Sequence, residues 1–276
     1  MKNVRPAFEM FDKRKEDITI GYQQIKCHMI FDVKLGENFR RKARLLGGGH
    51  TTTAPASITY SSVVSRDSVI IALTIAELND LDILACDIQN AYLTALCREN
   101  IWTKAGPEFG SEEGTTMIVN MALYGLKSYI AAFRAKLARV IHDIGYTPSK
   151  ADPDVWIRPE VNPDRAEYCE MMLFYVYDVF AISDMPMRTM DGIRSVFKLK
   201  DDKAEVPDMY LGATLSQVET ETGTKCWSMS LEKYVKAALE NLESKLGKSD
   251  MHLPKFRTPM STSYHPSEGI TKELNL

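Results

Sequence analysis

The stretch Leu173-Phe174-Tyr175-Val176-Tyr177-Asp178-Val179-Phe180 constrains this chain more than any other. Two short apolar runs, 173–176 and 179–182, flank the polar pair Tyr177-Asp178, the pattern of two buried strands joined by a tight turn. Lifting a carboxylate out of an apolar sheet has a cost, which suggests a use. Asp also suits turns, so an ordinary hairpin would explain the stretch by itself.

A second acid stands in a similar place. Leu81 to Ile88 reads as a strand that is apolar except for Asp82 and Asp87. A carboxylate at the end of a buried strand needs a cation or a hydrogen-bond donor to answer it. Ahead of this strand, Ser65-Arg66-Asp67-Ser68 forms a helix N-cap region before the run 69–78, which is apolar nearly all round and is expected to be buried. Beyond it, a long helix is predicted from Lys127 to Ile144. Phe133, Leu137, Val140, Ile141 and Ile144 make its core stripe, and Gly145 stops it.

The other elements are plainer. Residues 1–20 read as a poorly ordered lead-in, 25–33 as a strand, Glu37-Asn38 as a turn and 39–46 as a basic strand. Gly47-Gly48-Gly49-His50 lacks the Lys-Ser/Thr of a phosphate loop and is expected to be a flexible connector. Residues 102–114 read as a loop and 117–123 as a strand. Residues 155–158 and 169–176 read as strands around a polar hairpin loop, and 187–200 as a helix. Residues 209–219 and 225–229 form a hairpin across Gly223. A helix over 231–246 carries Tyr234, Val235, Ala238, Leu239 and Leu242 on one side, and loop follows from Gly247.

Composition enters by exclusion. No apolar run approaches the ~18 residues of a bilayer span, and no signal-peptide core opens the chain. Five scattered cysteines with no CxxC argue against zinc and a disulfide framework, and fit a reducing compartment. Net charge is −3, but residues 1–50 hold eleven lysines and arginines against six acids, so the acidic excess lies in the remainder. That split suits a phosphate-binding region beside a metal-binding one; a solvated basic face explains it equally well on charge alone.

Asp87 and Asp178 are the two carboxylates in buried-strand contexts, an arrangement that metal-assisted phosphoryl transfer needs. Six blocks then follow a known order. They are Lys42-Ala43-Arg44-Leu45 with Gly48-Gly49-His50; Tyr60-Ser61-Ser62-Val63-Val64-Ser65; and Asp87-Ile88-Gln89-Asn90-Ala91-Tyr92-Leu93. The rest are Leu123-Tyr124-Gly125-Leu126-Lys127; Tyr175-Val176-Tyr177-Asp178; and Tyr210-Leu211-Gly212. In this series the chain resembles the reverse transcriptases of Ty1/copia-type retrotransposons.

The resemblance implies an α+β, right-hand polymerase fold with an antiparallel palm sheet backed by helices. Fingers would comprise 1–64 and 94–124, palm 65–93 and 125–220, and thumb with the start of a connection 221–276, without an RNase H domain. It implies an RNA-directed DNA polymerase using two Mg²⁺ ions, held by Asp87, the Ile88 backbone carbonyl and Asp178. Lys42, Arg44, Tyr92 and Lys127 would bind the incoming nucleotide, with Tyr92 excluding a 2′-hydroxyl. Tyr210, Leu211 and Gly212 would grip the primer. Partners would be an RNA or DNA template-primer, dNTP, and other pol segments (RNase H, integrase) or a second chain, with no membrane. The location would be cytoplasmic, in virus-like particles, or nuclear.

Two positions depart from the family pattern. Tyr177 stands where the first aspartate of the YVDD box belongs, so a neutral, bulky phenol replaces a metal ligand and impaired catalysis is expected. Tyr129-Ile130 follows the Gly-Leu-Lys block where small residues are usual, and could crowd the nucleotide pocket. The Pro-containing tail ends where a connection to RNase H would begin, so a fragment of a longer polyprotein is expected. Three readings stay open: an impaired polymerase, a non-catalytic nucleic-acid-binding remnant, and a decayed element without function.

Overall fold

A computed structural model describes residues 4–11, 21–34, 39–56, 59–161 and 167–246. The expected turn at Glu37-Asn38, the tip of the 155–176 hairpin and the tail from Gly247 lie outside the described residues. In chain order the strands are β1 (Phe8–Met10), β2 (Gln23–Ile25), β3 (Cys27–Lys34), β4 (Arg40–Gly47), β5 (Asp82–Asp87), β6 (Ile101–Lys104), β7 (Thr116–Val119), β8 (Thr147–Pro148), β9 (Val155–Val161), β10 (Glu167–Tyr175), β11 (Asp178–Ser183), β12 (Met209–Tyr210), β13 (Ala213–Glu219) and β14 (Lys225–Ser230). The helices are α1 (Arg66–Leu78), α2 (Tyr129–Asp143), α3 (Pro186–Arg194) and α4 (Glu232–Leu246). None of them is long and apolar enough to cross a membrane. Residues 1–230 form one compact unit and 231–276 a second, which contains α4.

The central sheet has the order β5-β11-β10-β9-β8, and each pair in it is antiparallel. β11 and the Glu170–Phe174 part of β10 are buried on both faces. Val179 and Ala181 face α2 and α3, where Phe133, Leu137, Ile141, Met190 and Ile193 pack. Phe180 and Ile182 face the other way, onto Val69, Ala72, Leu73 and Ala76 of α1 and onto Tyr210 and Leu215. The period-2 alternation of β11 is thus read by two separate cores.

Local chemistry sets the helix ends. The Ser65 hydroxyl accepts from the Ser68 N–H at the start of α1. Asp152 ties this cap to the sheet, accepting from the Ser65 N–H and the Ser68 hydroxyl. Gly145, at φ +94°, ends α2 where the sequence places the stop. A buried ionic cluster pins the far end of β10. Arg158, Tyr146 and Ser183 all donate to Glu170. Burial pushes Glu170 up, but these hydrogen bonds outweigh it and hold its carboxyl below the usual range.

Several expectations are overturned. The 69–78 helix is buried on one face only; Ile71 is 60% and Leu78 78% exposed, because only the Val69-Ala72-Leu73-Ala76 side meets the sheet. The lead-in contains ordered structure: β1 pairs with β7 and buries Ala7 and Phe8. The 102–114 segment is not all loop, since β6 pairs with both β2 and β7. The hairpin turn is Val176-Tyr177 rather than Tyr177-Asp178. Tyr175 pairs with Asp178, and Val176 takes the left-handed conformation at φ +61°.

The glycine run is not a flexible connector. Gly47, Gly48 and Gly49 are buried where they cross the 124–126 segment, with the Gly47 N–H donating to the Tyr124 carbonyl and the Gly49 N–H to the Gly125 carbonyl. A Cβ on Gly49 would lie 2.3 Å from the Gly125 carbonyl oxygen and 2.7 Å from the Leu126 Cα, so the two backbones approach as only glycine permits. Gly49→Ala should therefore destabilise the fold by about 3 kcal/mol. Gly114→Ala, at φ +77° in open space, should cost only about 1 kcal/mol. Urea melts of the two variants check this; equal losses would mean that the crossing has room to spare.

Candidate active site

The antiparallel register of β5 and β11 pairs Asp87 directly with Asp178. Directly opposed residues in such a pair point to the same face. The two predicted acids, 91 positions apart in sequence, are thereby brought side by side. Burial first, and then the charge of Asp87, push the Asp178 carboxyl up to about 6, against a smaller downward pull from Lys200. The Lys200 Nζ lies 3.6 Å from Asp87 Oδ2.

Next to the acids, Ile88 is buried in the core and its N–H donates to the Tyr177 carbonyl at 3.1 Å. The Tyr177 side chain packs with the apolar cluster on the α2 side of the sheet. Its ring is 6.1 Å from that of Tyr92. Tyr92 is only 3% exposed, in a short 3₁₀ turn after Asn90, and is boxed in by Tyr124 at 4.7 Å, Tyr129 at 4.6 Å and Phe133 at 5.8 Å between ring centroids. Burial, then the neighbouring tyrosines and Asp178, push its phenol up. Tyr129, at the start of α2, thus packs its ring directly against Tyr92.

The basic residues divide. Arg44 and Lys42, two apart on β4, share a face of the β3–β4 ribbon and are both half-buried. Burial and Tyr177 push the Tyr124 phenol up, while the Arg44 charge pulls it down. Lys127 instead donates to the Thr52 carbonyl, bracing the glycine crossing. Tyr210 is buried and packs on Phe180 at 4.7 Å, two residues along β11 from Asp178. Leu211 and Gly212, both at positive φ, make the two-residue turn from β12 to β13.

Lys200 escaped the sequence reading. Its signal is the alternation Phe197-Lys198-Leu199-Lys200, in which Phe197 and Leu199 are buried and the lysines are not. Tyr124 was also missed as a member of the aromatic cluster.

Two in-register carboxylates with excess negative charge are a donor set that suits one hard divalent cation, with further oxygens from substrate or solvent. Among the described residues no group of three or more His, Cys, Asp or Glu side chains stands ready for a metal ion. Tyr177, beside Asp178 at the hairpin tip, adds no carboxylate to the pair.

The profile of the family described as reverse transcriptase (RNA-dependent DNA polymerase) matches residues 7–249. The chain is 26% identical over 206 residues to the retrovirus-related Pol polyprotein from transposon RE1 of Arabidopsis thaliana, covering 71% of this chain and 14% of that protein. It is 26% identical over 265 residues to the corresponding polyprotein from transposon TNT 1-94 of Nicotiana tabacum, covering 90% of this chain and 19% of that one. The chain therefore spans less than a fifth of the length of these curated relatives.

A raised carboxyl pKa favours the protonated fold, so the Asp178 contribution to stability falls as pH rises from below 4 through 6. Asp178→Asn should gain about 1–2 kcal/mol at pH 7.5, after allowing for solvent screening, and almost nothing at pH 4. Thermal melts of both proteins at the two pH values read this directly; a gain that does not change with pH would contradict it.

Proposed function

This chain belongs to the reverse transcriptase (RNA-dependent DNA polymerase) family, of the Ty1/copia Pol type, and we propose that it is an RNA-directed DNA polymerase module whose nucleotidyl transfer is impaired at Tyr177. The observation that carries the reading is the in-register Asp87–Asp178 pair at the end of a doubly buried ladder.

In this reading the β5-β11-β10-β9-β8 sheet with α1, α2 and α3 is the palm. The β1-β7-β6-β2 sheet and the β3–β4 ribbon are fingers, and the chain from 221 onward begins the thumb. Asp87 and Asp178, with the Ile88 carbonyl, are the residues that would hold Mg²⁺, whose bound form would supply Lewis-acid stabilisation of the attacking and leaving oxygens. Arg44 and Lys42 neutralise the triphosphate of the incoming dNTP. Lys127 fixes the strand crossing beneath them through Thr52. Tyr92 closes the sugar pocket to a 2′-hydroxyl, and the Tyr210–Gly212 turn supports the primer end. Template-primer is the macromolecular substrate, and the remaining pol segments or a second chain are the partners, in a cytoplasmic particle.

Tyr177 weakens this machinery in two ways. It removes one negative charge from the cation site, and its ring joins the packing around Tyr92. Losing one preorganised electrostatic group costs ~10²–10³ in rate. The second reading, a module that grips nucleic acid without extending a primer, draws on the half-buried pair Lys42 and Arg44 on one face of β4.

Primer extension on an RNA template with Mg²⁺ tests both. Tyr177→Asp should extend at least ~10²-fold faster than the natural chain. Natural-chain activity equal to that of Tyr177→Asp would end the impairment reading. If neither extends, template-primer binding decides: retained affinity that falls with salt, and falls further in Lys42→Ala or Arg44→Ala, supports the gripping module.

A further inference from the structure

The outer edge of β5 is covered. The Ala85 N–H donates to the Glu205 carbonyl and the Glu205 N–H to the Ala85 carbonyl. Ile88 bridges Leu199 in antiparallel register, and the Gln89 N–H donates to the Lys198 carbonyl at 2.9 Å. Leu199 and Phe197 are both buried in the core on the α2 side. The backbone on both sides of Lys200 is thereby fixed, and one step from the Ile88–Leu199 bridge brings Lys200 alongside Asp87.

β5 thus carries Asp87 between two cross-strand neighbours, Asp178 on the β11 edge and Lys200 on the other. Like charges opposed across strands destabilise and opposite charges stabilise. The row Asp178–Asp87–Lys200 reads minus, minus, plus. Lys200 thus brings an ammonium to the Asp87 end of this row.

We propose that Lys200 is the resident counter-cation of the Asp87–Asp178 pair and that a divalent cation enters this site by exchange against it. This rests on the reading of the acid pair as a cation site. An ammonium 3.6 Å from Asp87 Oδ2 stands where an entering cation of the same sign must come close. The lysine side chain is 40% exposed, and its flexible stem lets the head swing to water as the cation takes its place. Binding is then weaker than two carboxylates alone would give, by the free energy of displacing the ammonium.

Mn²⁺ serves as the probe, followed on the full chain by loss of the free-ion electron spin resonance signal, without nucleic acid or dNTP. Lys200→Met and Lys200→Gln should each bind Mn²⁺ about tenfold more tightly than the natural chain, from removing one positive charge at this range in a partly solvated site. Lys200→Arg should stay close to the natural value. Unchanged or weaker binding in both neutral variants, with circular dichroism unaltered, overturns the exchange while leaving the cation site standing. Asp87→Asn separates the two ideas: if it binds Mn²⁺ as the natural chain does, or if no variant binds at all, the cation-site reading itself falls and the exchange with it.

Discussion

The register of β5 against β11 holds two carboxylates opposite each other, and the rest of the central unit is arranged to make that tolerable. Like-charged cross-strand neighbours weaken a ladder, so the pairing has to be fixed elsewhere along the strands. Phe180 and Ile182 are buried against α1, and Val179 and Ala181 against α2 and α3. Slipping the register by one residue would exchange these faces and turn every one of those side chains into the wrong core. The apolar alternation therefore imposes the acid pair. Lys200, on the covered outer edge of β5, returns part of the lost electrostatic energy.

At the hairpin tip the balance runs the other way. Tyr177 relieves the charge crowding that a third carboxylate would bring, and its ring gains contact with Tyr92 and the apolar cluster beneath. The backbone conformation of the tip persists nonetheless. Val176 stands at φ +61°, a conformation costly for a β-branched residue, on the order of 1–3 kcal/mol. A turn that needed only stability would place Gly or Asn there. The strained backbone and the relaxed side chain belong to different demands on the same four residues: one keeps the hairpin in its shape, and the other gives up a charged group.

How much of this was legible in the sequence depended on the range of the forces involved. α2, its stripe and its glycine stop follow from 3.6-residue periodicity, and β10 and β11 from short apolar runs, because those signals lie within one element. The two acids were legible because a charge inside an apolar strand is conspicuous. Failures came where a distant segment decides. Gly47–Gly49 reads as flexible until the 124–126 backbone crosses it at glycine-only range. The outer face of α1 reads as buried from composition, yet one sheet covers only one side of a helix. Lys200 is placed by a backbone bridge to Ile88, and nothing within its own segment announces which carboxylate it will meet.

The same sheet contains a carboxylate handled in the opposite manner, and the contrast separates structural acids from chemical ones. Glu170 on β10 is buried, yet it receives hydrogen bonds from Arg158, Tyr146 and Ser183, and these keep it charged and fully occupied. It has no capacity left for a ligand. Asp178 on the neighbouring strand is half-buried, but faces another carboxylate, and its carboxyl is pushed up to about 6. Burial alone does not distinguish them, since desolvation raises both; the difference lies in whether the fold supplies donors or a second negative charge. A carboxylate placed against a second negative charge has interaction energy to offer an incoming cation, whereas Glu170, saturated by its donors, has none.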